Sequence, residues 1–236
     1  MDVEEKINPL IEAGSYSTKN TLSTNTDFLK FATEFLSIRM SALDKDIDHC
    51  LTAPYAPFPA IIYCLSTIDL LGALYAGQAA SKPVMKYKTP GLKKQRIMQP
   101  KTTKNSVRYM KRFMHYRLEA IRLLQNIFRH KLVHLAQPKP VIEDKKRIIA
   151  WRYYHKNMTR HLQLTRFKKP RPVKGIIPYS LHCNYGFKIS ISKLKDDIVN
   201  SVSNSPNNYL NLLKTNKNLQ INFRRAINEI YNPIKK

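Results

Sequence analysis

Arg129, His130 and His134 fall within six residues, in the run Phe128-Arg129-His130-Lys131-Leu132-Val133-His134. An arginine presents a planar fork of donors that can hold a phosphate. A histidine titrates near neutral pH and can take or give a proton. Together the two types can hold an anionic ester and move a proton beside it, the makings of general acid–base chemistry. A helix C-terminus attracts cations through its dipole alone, so the same residues also have a purely structural reading, His130 above all. That field favours the protonated form of His134, which suits an acid or a phosphate binder more than a base.

The element that must carry them runs from Asn105 to Gln137, a stretch without Gly or Pro. Leu118, Ile121, Leu124, Phe128, Leu132 and Leu135 recur at three- and four-residue steps and predict one buried helical face. Asn105 or Ser106 can cap its start, and Pro138 and Pro140 stop it, which puts His134 in the last turn. At about 100° per residue, Arg129 and His134 are roughly 140° apart and flank the face opposite the stripe. Leu123 and Ile127 form a second apolar patch beside them. A helix apolar on two sides needs two neighbours, and a second copy of the chain is one candidate.

An earlier run, residues 60 to 76, is almost wholly apolar. It falls short of the ~20 residues that a bilayer requires and holds Asp69 at its middle, so a central bundle helix is expected rather than a membrane span. A carboxylate there is costly unless a cation or several donors meet it. Local capping or a solvent-facing gap are the alternatives to such a partner.

The order Arg129, His130, three further residues and His134 at a helix end, in the run FRHKLVHLAQPKP, resembles the HEPN superfamily of small helical domains. The resemblance covers residues 58 to 140, where two helices are separated by a basic loop. It implies a metal-independent endoribonuclease without a cofactor, in which motif helices of two protomers meet so that paired Arg and His line one cleft. It further implies that Asp69, as the polar residue such domains often carry on an earlier helix, pairs with Arg129, that Arg129 stabilises the phosphate, that His134 moves protons from the ribose 2′-hydroxyl and to the leaving oxygen, and that His130 and Asp69 orient the pair. A place in a toxin or defence system, with an antitoxin as partner, is implied by analogy alone. Some relatives carry a modifiable Tyr two residues after the motif His; here that position is Ala136, which removes regulation of that kind.

Charge points the same way independently. The 236 residues include 41 Lys and Arg against 16 Asp and Glu, a net charge of +25 and a pI near 10.0. Such a chain is drawn to a polyanion, either nucleic acid or an anionic membrane surface. Ser81 to Lys104 contains no acid and four breakers, Pro83, Pro90, Gly91 and Pro100, and reads as a basic loop. Its Lys86, Lys88, Lys93, Lys94 and Arg96, followed by Arg108, Lys111, Arg112 and Lys131, are candidate phosphate contacts. A solvated flexible loop is the plain alternative.

Between Lys145 and Lys195 there are 14 Lys and Arg and no acid. Trp151, Tyr153, Tyr154, Phe167, Tyr179, Tyr185 and Phe187 alternate among them, which predicts two to four antiparallel strands. Arg152, Lys168 and Lys169 would contact phosphates there, with aromatics exposed for stacking, although a sheet must bury about half of its aromatics.

Residues 1 to 26 read as an N-terminal arm or linker, with an acidic start unlike a secretory signal. A first helix from about Thr26 to Leu51 would bury Phe28, Phe31, Phe35, Met40, Leu43 and Ile47, and Pro54, Pro57 and Pro59 would enforce a loop. Helices are expected from near Ser192, from Ser205-Pro206, and over a last segment burying Leu219, Ile221, Phe223, Ile227 and Ile230. Three cysteines without a C-x-x-C point to a reducing cytoplasm. No zinc-ligand spacing or nucleotide-binding loop is present.

The fold expected is mainly α, a HEPN-like bundle over 27–140, joined to a basic β-rich segment with C-terminal helices packed on it over 141–236, α+β overall. The function expected is an RNA-binding, metal-independent endoribonuclease, homodimeric and without an integral membrane segment. A non-catalytic RNA-binding or scaffolding module and a peripheral protein of anionic membranes are the other classes left open.

Overall fold

Apolar residues spaced three and four apart wind the chain into a first helix, α1 (Asn25–Cys50), which buries Phe28, Ala32, Phe35, Leu36, Met40, Leu43 and Ile47. The structure, a computed structural model, describes residues 25–78, 102–129, 138, 140–144, 146–173, 181–203 and 205–231. The second helix, α2 (Pro57–Ala76), is the hub of the fold and packs on α1 and on most later helices. Pro57 occupies its first position, where a missing N–H costs nothing, so Pro57 and Pro59 open a helix instead of enforcing a loop. The helix therefore reaches 20 residues and is long and apolar enough to cross a membrane, by length and composition. That overturns the length argument against a span, but ten of its residues are buried inside the chain's own core.

The long helix expected from Asn105 to Gln137 is broken. Its first part is α3 (Thr102–Phe113), its second is α4 (Leu118–Leu124), and a π-helical turn, Gln125–Arg129, comes directly after. Ser106 does not cap α3 but lies inside it, and Leu118 is exposed instead of leading a buried stripe. Between the two helices the chain turns through His115, whose φ of +54° lies in the left-handed region. Met114 and Tyr116 both donate their amides to the Met110 carbonyl. What overrides the helical period is the Tyr116 side chain, anchored far along the chain: its hydroxyl donates to Asp197 Oδ2 at 2.7 Å and lies 3.2 Å from His161 Nε2.

The chain then forms four strands: β1 (Val141–Asp144), β2 (Arg147–Tyr154), β3 (Gln163–Pro172) and β4 (His182–Ser190). They are ordered β1-β2-β4-β3. The β1–β2 and β3–β4 pairs are antiparallel, but β2 and β4 run parallel, so the sheet is mixed and not antiparallel throughout. One face packs inward. Phe187, Ile189 and Ile149 are buried on it, and Trp151 meets Phe128 and Phe58.

Ser190 ends β4 and caps the next helix, α5 (Ile191–Val202), by accepting from the Lys193 amide. Ser205 and Pro206 lie in a turn, and helix α6 (Tyr209–Thr215) starts only after Asn208. In α7 (Lys217–Tyr231), Leu219, Phe223, Ala226 and Ile227 are buried, but Ile221 and Ile230 are exposed, contrary to expectation. Of the helices expected on the sheet, α5 packs on β2 and β4, while α7 lies on α2. Phe223 there sits edge-on to both Phe28 and Phe35 of α1. The whole is α+β, mostly helical with a small mixed sheet.

Candidate functional site

The site begins with one close approach of backbones. At Gly72 a Cβ would lie 2.7 Å from the Ser106 nitrogen and 2.8 Å from the Asn105 carbonyl carbon, so only glycine lets α2 and α3 come this near. One turn earlier on α2, Asp69 faces the same seam. Thr103 and Ser106, three apart on α3, present their hydroxyls to it from one helical face.

Asp69 is satisfied at both oxygens. Ser106 Oγ donates to Oδ1, and Arg129 Nε donates to Oδ2 at 2.7 Å. The guanidinium reaches further: Arg129 Nη1 donates to Thr103 Oγ1 at 2.6 Å. The four residues come from α2, α3 and the π turn, so the cluster joins three elements. Arg129 and Asp69 keep 17% and 21% of their side-chain surface exposed, which leaves the pair open to solvent on one side. Two guanidinium N–H groups are used by these described partners, and five are available in all. A π turn adds a residue to the helical turn and re-aims the side chains beyond it, a device frequent at functional sites. Ile127 and Phe128, just before Arg129, are fully buried against α2 and β1. Leu123 and Ile127 are thus covered within the chain, and the second apolar patch requires no second copy.

His130, Lys131 and His134 lie outside the described residues, as do Lys86, Lys88, Lys93, Lys94 and Arg96. Among the remaining candidates, Arg108, Lys111 and Arg112 share one side of α3. With Lys104, Asn105 and Asn222 they line a cleft of about 640 Å³ that has no acid among its lining residues. Arg152, Lys168 and Lys169 are exposed on the sheet. The sequence candidates thus occupy separate places: the Asp69–Arg129 cluster, the α3 cleft, and strands β2 and β3. Thr103, Ser106 and Gly72 were not anticipated. The T-x-x-S spacing beside an apolar helix holding one carboxylate is the signal that could have found the two hydroxyls.

A second polar chain holds the helix break to the sheet. The Ser190 amide donates to His161 Nδ1 at 3.0 Å, the Tyr116 hydroxyl donates to Asp197, and Lys193 pairs with the other Asp197 oxygen at 2.8 Å. With Nδ1 an acceptor, the neutral ring carries its proton on Nε2 and directs it at the Tyr116 oxygen. Burial lowers the His161 pKa to about 4, Asp197 opposing and Lys193 adding to the shift.

Elsewhere, Lys195 is 8% exposed and pairs with Asp44 at 2.7 Å and Asp48 at 2.8 Å, tying α5 to α1. Cys50, Cys64 and Cys183 are free, and burial pushes the Cys64 thiol up to about 12. Among the described residues, no group of three or more His, Cys, Asp or Glu is placed to hold a metal ion.

Compared with known proteins, the chain matches no family model, no curated protein and no solved structure.

Proposed function

We propose that this chain is an RNA-binding, metal-independent endoribonuclease of the HEPN type. The observation that carries the reading is the Asp69–Arg129 pair. Arg129, the arginine that precedes His134 in the motif, is held by Thr103 and by a carboxylate 60 positions earlier on another helix. An arginine fixed through Nε and Nη1 has its remaining donors oriented, which is what stabilising a phosphate in a transition state demands. His134, close to it in sequence, supplies the titrating group. Loss of the 2′-hydroxyl proton, attack of that oxygen on phosphorus and protonation of the leaving 5′-oxygen would give a cyclic phosphate and a 5′-hydroxyl. The net charge of +25 and the acid-free α3 cleft supply affinity for the backbone.

The test is cleavage of end-labelled mixed-sequence RNA in EDTA by the native chain, Arg129→Ala and His134→Ala, each with a native circular dichroism spectrum. Cleavage by the native chain, reduced at least ~100-fold in both variants and leaving cyclic phosphate ends, is expected. If all three bind RNA equally and none cleaves it, the chain is a non-catalytic RNA-binding module. That second reading draws on the same basic cleft and sheet and needs nothing from His134.

A further inference from the structure

Along a strand, side chains alternate between faces, and the register of the sheet sorts them. With Phe187, Ile189, Ile149 and Trp151 inward, the opposite face shows Ala150, Arg152 and Tyr154 from β2, Gly186 and Lys188 from β4, and Gln163 and Thr165 from β3; Phe167, where the β3–β4 register turns irregular, joins them by its contact with Gly186. Every one of these is exposed or half-buried, and Phe58 of α2 and Phe128 of the π turn meet the sheet on the inward face, at Trp151.

At the centre of this open face a glycine admits a ring. A Cβ on Gly186 would fall 2.6 Å from Phe167 Cζ, so the tip of the phenyl ring rests directly on the strand backbone. The Arg171 guanidinium lies over that ring at 4.6 Å from its centroid. Arg152 and Lys188 are paired neighbours on the same face. The only acid this face carries among the described residues is Glu143, on the far edge strand β1.

We propose that this outer sheet face is a binding platform for single-stranded RNA. An unpaired base stacks on the Phe167–Arg171 pair, and Arg152 and Lys188 hold the adjoining phosphates. A flat π surface with cations beside it suits a base followed by its backbone. A duplex keeps its bases stacked inside and offers nothing for Phe167 to meet. An anionic membrane fits less well, because the ring is seated on Gly186 and does not project for insertion. This rests on the RNA-binding part of the proposed function and not on cleavage.

The experiment is fluorescence anisotropy with the full chain, in EDTA, using a labelled 12-nucleotide 2′-O-methyl RNA that cannot be cleaved through its 2′-oxygen. The same strand in a duplex and phosphatidylserine-containing vesicles are the comparison arms. Single strands should bind more tightly than the duplex. Phe167→Ala should weaken single-strand binding about tenfold with little change in duplex binding, and Phe167→Tyr, which keeps the ring and the fold, should restore it. Arg152→Ala should lower the salt slope by about one. Equal binding of strand and duplex, unaffected by either Phe167 variant, overturns the platform. So does tighter binding to vesicles that depends on Phe167 and Arg152. Because no arm requires cleavage, a failed nuclease assay with this pattern intact removes only the catalytic reading.

Discussion

His161 is the residue whose chemistry can be read most directly in solution. Its folded pKa of about 4 lies below the ordinary value of 6.5, so between those limits the unfolded chain takes a proton that the folded chain refuses. The stabilisation is complete above about pH 6.5 and is lost as the pH falls toward 4, up to roughly 3 kcal/mol in all. Urea unfolding at pH 7 and 4.5 should show that loss in the native chain and a smaller one in His161→Gln. Equal pH dependence in both would place the acid sensitivity elsewhere. That Asp69 needs a partner was legible in the sequence, because a carboxylate inside an apolar helix is costly alone; that the partner is Arg129 was legible only through the motif resemblance. Thr103 and Ser106 were not, since a hydroxyl satisfies itself locally as readily as across a seam.

At the scale of elements, the seam at Gly72 decides whether α2 and α3 can share the cluster. Gly72→Ala would press a methyl group against the backbone of Asn105 and Ser106, which have no flexible end to move aside. We expect a loss of about 1–3 kcal/mol in stability and, under the proposed nuclease function, reduced RNA cleavage with Asp69, Arg129 and His134 all present. A variant as stable and active as the native chain would show the seam is loose. Periodicity located α1 almost to the residue, because Phe28 to Ile47 keeps one face without interruption. The same periodicity overran the break at Met114–Arg117. No Gly or Pro marks it; it is enforced by Tyr116 reaching Asp197, 81 residues away. The parallel pairing of β2 with β4 was likewise invisible, since alternation reports faces and says nothing of a strand's neighbour.

For the whole molecule, charge is unevenly distributed: the acids that Lys195 gathers on α1, Asp44 and Asp48, serve the fold, while the α3 cleft has cations and no acid among its lining residues. The strand order has a consequence in time as well as space. Because β4 lies between β2 and β3, the β1–β2 pair and β3 cannot join into one sheet until residues 182–190 have been made. Until then the growing chain carries strand edges that can pair with any neighbour. A chain ended at Leu181 should therefore lose strand content by circular dichroism and aggregate on expression, where the full chain does neither. The strand made last is thus the one that joins the β1–β2 pair to β3, so the outer face, with Arg152 on one side of β4 and Phe167 on the other, exists only once β4 is in place.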